Sequence, residues 1–351
     1  MSIESLRKKI DALDKKIVAL LNDRAKISLL IGQEKMRSKK GIYSPGREKQ
    51  VLKHIASLNQ GPVSLEALDA IYREIMSSSL SLERIKDVAY LGTQGSFTHA
   101  AALKKFGSQV NYQSCNTILE VFQKVERDEC DYGIVPIENS TEGAVTHTLD
   151  MFVDSDLKIC AQILCPISHN LLSKARLDKI KKIYSNPQVF GQCRNWLLEH
   201  LPKAGQISVS STTQAARTAV HEKGSAAIAS VLAAEVYKLP VLRRNIQDIA
   251  NNTTRFLVIG TQEAQPTGHD RTSILFSIKD KVGALHAMIT PFYQNKINLT
   301  KIESRPSKRR AWDYYFFVDF EGHRLDRNAK RALAKLEDMC KYLKILGSYP
   351  V

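Results

Sequence analysis

The chain has 351 residues, 43% apolar and 25% charged, which is the balance of a globular protein and excludes a disordered one. At about 150 residues per domain this length corresponds to roughly two to three domains. The formal charge of +15 invites a nucleic-acid or membrane reading, but the surplus is uneven, at +6 over 1–87, +2 over 88–265 and +7 over 266–351.

The N-terminus, MSIESLRKKIDALDKK, alternates charged with apolar residues and has no uninterrupted apolar region or small-residue cleavage site. No run approaches the roughly 18 apolar residues of a membrane span, so a cytoplasmic protein without a membrane partner is expected. From Ile3, apolar residues recur at Leu6, Ile10, Leu13, Ile17, Leu20, Ile27 and Ile31, a spacing of three and four that predicts one amphipathic helix from about Glu4 to Lys39. At 1.5 Å per residue it is about 54 Å long and needs partners along its length. GIYSPG at 41–46 stops it; a second helix is expected from Arg47 to Leu58 and a third from Ser64 to Arg84. Three helices in 87 residues make a poor monomeric core, so dimerisation through the long helix is expected, as a homodimer or a higher homo-oligomer.

Charged residues interrupt the apolar stripe. Arg7 lies four after Ile3, Arg24 four after Leu20 and Lys35 four after Ile31, while Ser79 and Glu83 follow Ile75 at steps of four on the third helix. Arg47 and Glu48 open the second helix. One such cation is ordinarily a snorkelling side chain or half of an ion pair. Three on one face, opposite Ser and Glu, suit a small dianionic ligand. LRKKIDALDKKIVALLNDRAKISLLIGQEK, then YSPGRE and SSSLSLE, resembles the all-helical type of chorismate mutase. The resemblance implies that Arg7, Arg24, Lys35 and Arg47 bind the carboxylates and ether oxygen of chorismate, with Ser44, Glu48, Ser79 and Glu83 completing the pocket and Arg7 reaching a partner's site. Arg24, Lys35 and Glu83 are the expected catalytic groups. Ser44 stands where some relatives carry Asp, and Glu83 where others carry Gln. A carboxyl donates to the ether oxygen only when protonated, so the mutase is expected to run faster at acidic pH unless the site raises the Glu83 pKa.

Around Val88 the texture changes to short apolar runs alternating with helical patterns (VAYLG, YGIVPIE, ICAQILCPI, KIYS, ISVSS, SAAIAS, RFLVIG), which reads as an α/β domain with mainly parallel sheets. Cys115, Cys130, Cys160, Cys165, Cys193 and Cys340 show no C-x-x-C spacing, which argues for reduced, buried thiols and against a structural metal or disulfide framework. YLGTQGSFTHAA lacks a G-x-G-x-x-G, so no dinucleotide cofactor is expected. Asn, Ser and Thr at strand ends are ordinarily turn and capping residues. Together, however, YLGTQGSFTHAA, VPIENSTEGAV, SNPQVFGQC, AAIAS and NTTRF resemble prephenate dehydratase over 88–260. The resemblance implies two α/β lobes of the periplasmic-binding-protein type with prephenate between them. Thr254 would be the catalytic donor to the departing hydroxyl, and Thr98, Glu138, Asn139, Ser140, Ser185, Gln192 and Arg255 would line the site. Thr93-Gln94 replaces a common Pro-Glu, and Asn186 a common His.

After the linker TQEAQPTGHD, TSILFSIKD, a helix from Gly283 to Asn295, INLTKIESRPS, WDYYFFVDFEG and a helix from Asn328 to Leu343 read as a small βαββα sandwich. DKVGALHAMITPFYQNKINLTKIESRPSK resembles the ACT regulatory domain, a ferredoxin-like βαββαβ module. The resemblance implies that Gly283, Ala284, Leu285, Asn298, Glu303, Ser304 and Arg305 bind phenylalanine and feed back on the dehydratase. The whole is expected to be multidomain: an all-α domain over 1–87, an α/β domain over 88–265 and an α+β regulatory domain over 271–351. No metal or other cofactor is implied, and no nucleic-acid partner. The contrasting readings are a basic regulatory or nucleic-acid-binding protein on a binding-protein and ACT scaffold, whose clearest basic run would be KRR at 308–310, and the same fold with one catalytic domain inactive.

Overall fold

The computed structural model describes residues 2–37, 45–278, 282–307 and 314–351, leaving aside the side chain of Met36. Ser44 and the KRR run lie outside the described residues. The chain forms two compact units, Met1–Asp87 with Lys105–Asn111, and Val88–Lys104 with Tyr112–Val351.

In the first unit, α1 (Ile3–Arg37), α2 (Pro45–Leu58) and α3 (Leu65–Glu83) follow the expected periodicity. The second helix starts two residues before the expected Arg47, because Pro45 has the backbone angle a first helical turn requires and lacks the N–H that would be orphaned there. Ser64 caps α3 by accepting from the Ala67 N–H. Both α1 and α2 pack on α3, yet the apolar stripe of α1 stays open: Ile3 is 71% exposed, Leu20 67% and Ile31 50%. Residues 105–111 are held to α3 by Ser108, which donates to Glu74, and by the Gln109 N–H, which donates to the Ser77 hydroxyl.

The second unit holds three sheets. The first lobe is built from β1 (Asp87–Leu91), β2 (Asn111–Cys115), β3 (Tyr132–Asn139), β4 (Gly143–Ala144), β5 (Lys158–Pro166) and β11 (Thr253–Gly260), in the order β2-β1-β3-β11-β5 with β4 hydrogen-bonded to β3. Its helices are α4 (Phe97–Phe106), α5 (Ile118–Glu126) and α6 (Thr146–Asp154). The chain then leaves to make a second lobe from β6 (Asn170–Leu172), β7 (Lys182–Ser185), β8 (Gly205–Ser208), β9 (Ser225–Ala229) and β10 (Val241–Arg243), ordered β10-β6-β9-β7-β8, with α7 (Pro187–Gln192), α8 (Arg194–His200), α9 (Thr212–His221) and α10 (Val231–Tyr237). It returns as β11.

Both sheets are mixed, which corrects the expectation of mainly parallel ones. β1 pairs parallel to β3, and β7 parallel to β8 and β9, but β11 runs antiparallel between β3 and β5, and β6 and β10 run antiparallel at their edge. In the first sheet the cause is the return strand β11, which enters that lobe from the opposite direction. Gly95, with φ +90°, brings the turn before α4 against the second lobe, where an added Cβ would lie 3.1 Å from Ala233 Cα and where Ser230 donates to the Gly95 carbonyl at 2.8 Å.

The third sheet, ordered β13-β14-β12-β15, contains β12 (Asp270–Ser277), β13 (Leu299–Pro306), β14 (Tyr314–Glu321) and β15 (Tyr342–Pro350), with α11 (Ala284–Gln294) and α12 (Arg327–Met339). The last helix ends at Met339, short of the expected Leu343, because the final apolar run YLKIL pairs with β12 as a strand and completes βαββαβ. Strand alternation divides the sheet's apolar residues. Ile274, Phe276, Val318 and Phe320 pack under the two helices, while Leu275, Phe317, Leu346 and Tyr349 join a core with Val135, Leu149, Phe152 and Ile159 of the first lobe. The C-terminal sheet is therefore one wall of the first lobe's core.

Candidate active sites

In the helical unit, side chains from all three helices close around a cavity of about 200 Å³. Arg24 and Lys35 reach it from α1, Arg47 and Glu48 from the first turn of α2, and Ser79 and Glu83 from α3. Arg24 donates to the Ser79 hydroxyl at 2.7 Å, and that hydroxyl donates back to the Ile75 carbonyl at 2.8 Å, so the guanidinium is set by a side chain that is itself fixed to the helix. Glu83 presents a buried Oε2 with no hydrogen-bond partner among the described residues. Burial pushes its carboxyl pKa up, against the opposing pull of Lys35 and Lys86. Gly32 of α1 makes room for it: a Cβ there would lie 2.7 Å from Glu83 Cδ.

Arg7 is exposed on α1 and is absent from this cavity. The sequence reading missed Ser28, Arg73 and Lys105, which also line it; Lys105 Nζ stands 2.9 Å from Glu48 Oε2. Ser28 and Arg73 carry a helix-face signal, Ser28 four residues after Arg24 and Arg73 four before Ser77, which lines the same cavity. Lys105 belongs to a segment remote in sequence and carries none.

In the second unit the expected residues divide between two faces of β11, because consecutive strand residues point to opposite sides. Thr254 pairs with Asn139 across the β3–β11 ladder and Arg255 with Glu138. On the Thr254 face a directional hydrogen-bond chain forms. Asn139 Oδ1 accepts the backbone N–H groups of Thr141 at 2.9 Å and Glu142 at 3.1 Å. Those donors cannot reverse, so Asn139 Nδ2 must donate, and it does so to Thr254 Oγ1 at 2.8 Å and Asn252 Oδ1 at 2.7 Å. Asn252 Nδ2 in turn donates to Gln192 Oε1 at 3.1 Å, and Gln192 Nε2 to Glu142 Oε1 at 2.8 Å. Since Thr254 Oγ1 is an acceptor here, its own proton remains to be given elsewhere. Glu142, Gln192 and Asn252 also line a cavity of about 560 Å³. Asn252, Glu142 and His169, whose ring lies 2.8 Å from Gln192, were missed by the sequence reading; Asn252 had a signal, two residues before Thr254 and so on the same strand face.

The other expected residues are placed differently. Arg255 is buried on the opposite face and binds Asp319 of β14 at 2.7 Å and Glu138 at 3.3 Å, and Lys301 of β13 binds the same Glu138 at 3.1 Å. Arg255 and Glu138 thus join the C-terminal sheet to β11, with Arg255 on the face opposite Thr254. The Ser140 hydroxyl donates to the Asn251 carbonyl and accepts from the Thr253 N–H, knitting two loops together. Ser185 is fully buried and donates to the Ile228 carbonyl. Thr98 is buried on the first turn of α4.

In the C-terminal sheet Gly283, with φ +76°, precedes Ala284 and Leu285 at the start of α11, and Gly283, Leu285 and Asn298 are exposed. β13 is an edge strand whose residues alternate. Ser304 shares the helix-covered side with Ile302, whereas Glu303 and Arg305 share the other with Lys301. Arg305 is paired with Asp150 of α6 at 3.3 Å, so it joins the sheet to the first lobe. Among the described residues no helix is long and apolar enough to cross a membrane.

These three constellations correspond to three family models: chorismate mutase type II over residues 6–84, prephenate dehydratase over 88–264 and the ACT domain over 272–338. The bifunctional chorismate mutase/prephenate dehydratase of Aquifex aeolicus is 48% identical over 353 residues, covering 99% of this chain and 98% of its own. The chain belongs to that bifunctional family. The Pseudomonas aeruginosa relative of the same description is 45% identical, with 99% and 97% covered. Among solved structures, prephenate dehydratase from Arthrobacter aurescens in complex with L-Phe superposes with a TM-score of 0.71 at 33% identity, over 76% of this chain and 90% of that one. A protein described as a quorum quenching acylase, GqqA, superposes at 0.70 with 26% identity over 76% and 98%.

Proposed function

We propose that the helical unit rearranges chorismate to prephenate and that the second unit converts prephenate to phenylpyruvate, under inhibition by phenylalanine bound at the C-terminal sheet. The observation that carries this reading is the polarity of the chain that ends on Thr254. Loss of the ring carboxylate as CO₂ leaves its bonding electrons to complete the aromatic ring and expels the C4 hydroxyl. That oxygen needs a hydrogen-bond donor as charge builds on it and leaves as water once protonated. Asn139 holds Thr254 by accepting nothing from it, so the threonine hydroxyl is free to serve as that donor. Gln192 and Asn252 present amides to the substrate's polar groups, and Thr98 forms part of the wall.

In the helical unit the ether C–O bond breaks as a C–C bond forms, with no nucleophile or metal required. The protein's work is to hold the compressed conformer and stabilise charge on the ether oxygen. Arg24 and Arg47 bind carboxylates, Lys35 and protonated Glu83 donate to the ether oxygen, and Ser79 and Glu48 orient the ligand. Ser44, which precedes Pro45 in the sequence, is assigned to the same ligand. The open apolar stripe of α1 supports a homodimer in which Arg7 serves the site of a second copy. The effector lies against Gly283, Ala284, Leu285, Asn298 and Ser304, with Glu303 at the strand edge, and the domains divide at 1–87, 88–265 and 271–351 in a cytoplasmic enzyme. Supplying chorismate and following prephenate and phenylpyruvate, with and without phenylalanine, tests the reading. Chorismate consumption without phenylpyruvate formation would remove the dehydratase half.

A further inference from the structure

His169 opens the second lobe, just before β6, with only 2% of its surface exposed. Its Nε2 lies 2.8 Å from Gln192 Oε1, the oxygen that also accepts from Asn252 Nδ2. The backbone donors on Asn139 fix the direction of every amide up to that oxygen, so Gln192 offers an acceptor and His169 must hold its proton on Nε2. Its Nδ1 is then a buried acceptor, and it has no partner among the described residues. The ring of Phe97 stands edge-on to it, with centroids 5.6 Å apart and planes at 84°. The backbone on both sides of the ring is pinned: the His169 N–H donates to Gln247 Oε1 and its carbonyl accepts from the Ile246 N–H.

An imidazole with one ring nitrogen unsatisfied is a poor choice for packing alone, since an apolar side chain would fill the same space without an orphaned lone pair. What the ring supplies that an apolar group cannot is a rigid neutral donor at one position. We propose that His169 is a positioning residue of the dehydratase, which holds the Gln192 carboxamide in the single orientation that continues the chain from Asn139 and Thr254. This rests on the dehydratase reading above and deepens it.

The test uses the full chain and follows phenylpyruvate formed from prephenate, with mutase activity of the same preparation as the check on folding. His169→Leu is expected to lower dehydratase kcat/KM about tenfold, the worth of one buried hydrogen bond, with the melting temperature unchanged or raised. His169→Gln, whose Nε2 amide can occupy the place of the ring Nε2, is expected to recover to within about threefold, whereas His169→Asn, too short to reach, behaves like Leu. In a Gln192→Met background, His169→Leu is expected to add less than about twofold, because the group it positions is gone. The proposal is overturned if His169→Leu stays within twofold of the parent protein, if Gln fails to recover more than Asn, or if the two sites act additively. A parent protein that forms no phenylpyruvate overturns the dehydratase reading itself.

Discussion

Replacing Thr254 by Val separates what the hydroxyl does for stability from what it does for chemistry. Valine keeps the shape and the strand preference of threonine at this place in β11, and the side chain is buried at 7% exposure. Asn139 Nδ2 loses Thr254 Oγ1 at 2.8 Å but keeps Asn252 Oδ1 at 2.7 Å, so one of its two protons is left without its acceptor. Leaving that part-buried donor unpaired costs about 1–3 kcal/mol of stability. Losing the donor to a departing hydroxyl costs about 10²- to 10⁴-fold in rate, or roughly 2.7–5.4 kcal/mol of barrier at about 1.36 kcal/mol per decade. Phenylpyruvate formation should therefore collapse while the melting temperature falls by roughly 2–12 °C, with Thr254→Ser recovering most of the rate and chorismate consumption unaffected. Steady-state kinetics from prephenate, beside a thermal melt, reads both numbers. A Thr254→Val protein that retained a third or more of the parent kcat would refute the role assigned to the hydroxyl.

Three further outcomes follow from the same geometry. Glu83 donates only when protonated, and burial raises its pKa, so mutase rate should hold in acid and fall as pH climbs through that raised pKa. The Glu83→Gln protein should show no such fall over the same range, and a profile shared by both would assign the titration to another group. Gly32→Ala adds a Cβ 2.7 Å from Glu83 Cδ. The helix gains up to about 1 kcal/mol of propensity while the carboxyl is displaced, so the melt should hold or rise as mutase kcat drops about tenfold to a hundredfold; an unchanged rate would mean that the carboxyl's position is immaterial. Asp319→Ala removes the 2.7 Å partner of buried Arg255 and leaves it Glu138 at 3.3 Å. Breaking such a pair costs about 3–5 kcal/mol, or roughly 6–20 °C of melting temperature for a unit of this size. Scanning calorimetry showing less than about 2 °C would contradict the burial of this pair.

The C-terminal sheet shares its core with the first lobe through Leu275, Phe317, Leu346 and Tyr349. Deleting residues 266–351 would therefore expose that core as well as remove the effector site, and substitution at Asn298 or Leu285 is the cleaner probe of phenylalanine inhibition.

The helices of the first unit were legible in the sequence because a period of 3.6 is local: each residue's face follows from its own position, and Arg24, Lys35, Ser79 and Glu83 could be set on facing stripes without knowing anything else. The motifs around Asn139, Gln192 and Thr254 were legible as loop-borne polar clusters at strand ends. Strand alternation was equally available for the step from Thr254 to Arg255, and it already placed those neighbours on opposite faces. What lay on each face was not available, because the partners come from Asp319, Lys301 and Glu138, far apart in sequence. The same holds for Lys105 in the cavity of the helical unit and for His169 beside Gln192.

The initial charge surplus divides along this line. Periodicity set Arg7, Arg24 and Lys35 on one apolar stripe, and the family resemblance assigned that part of the +6 of residues 1–87 to a ligand pocket. Only the tertiary structure showed that Lys301, Arg305 and Lys344 of the C-terminal segment face acids of the first lobe, at Glu138, Asp150 and Asp156, because ion pairing depends on distances between strands that sequence order does not specify.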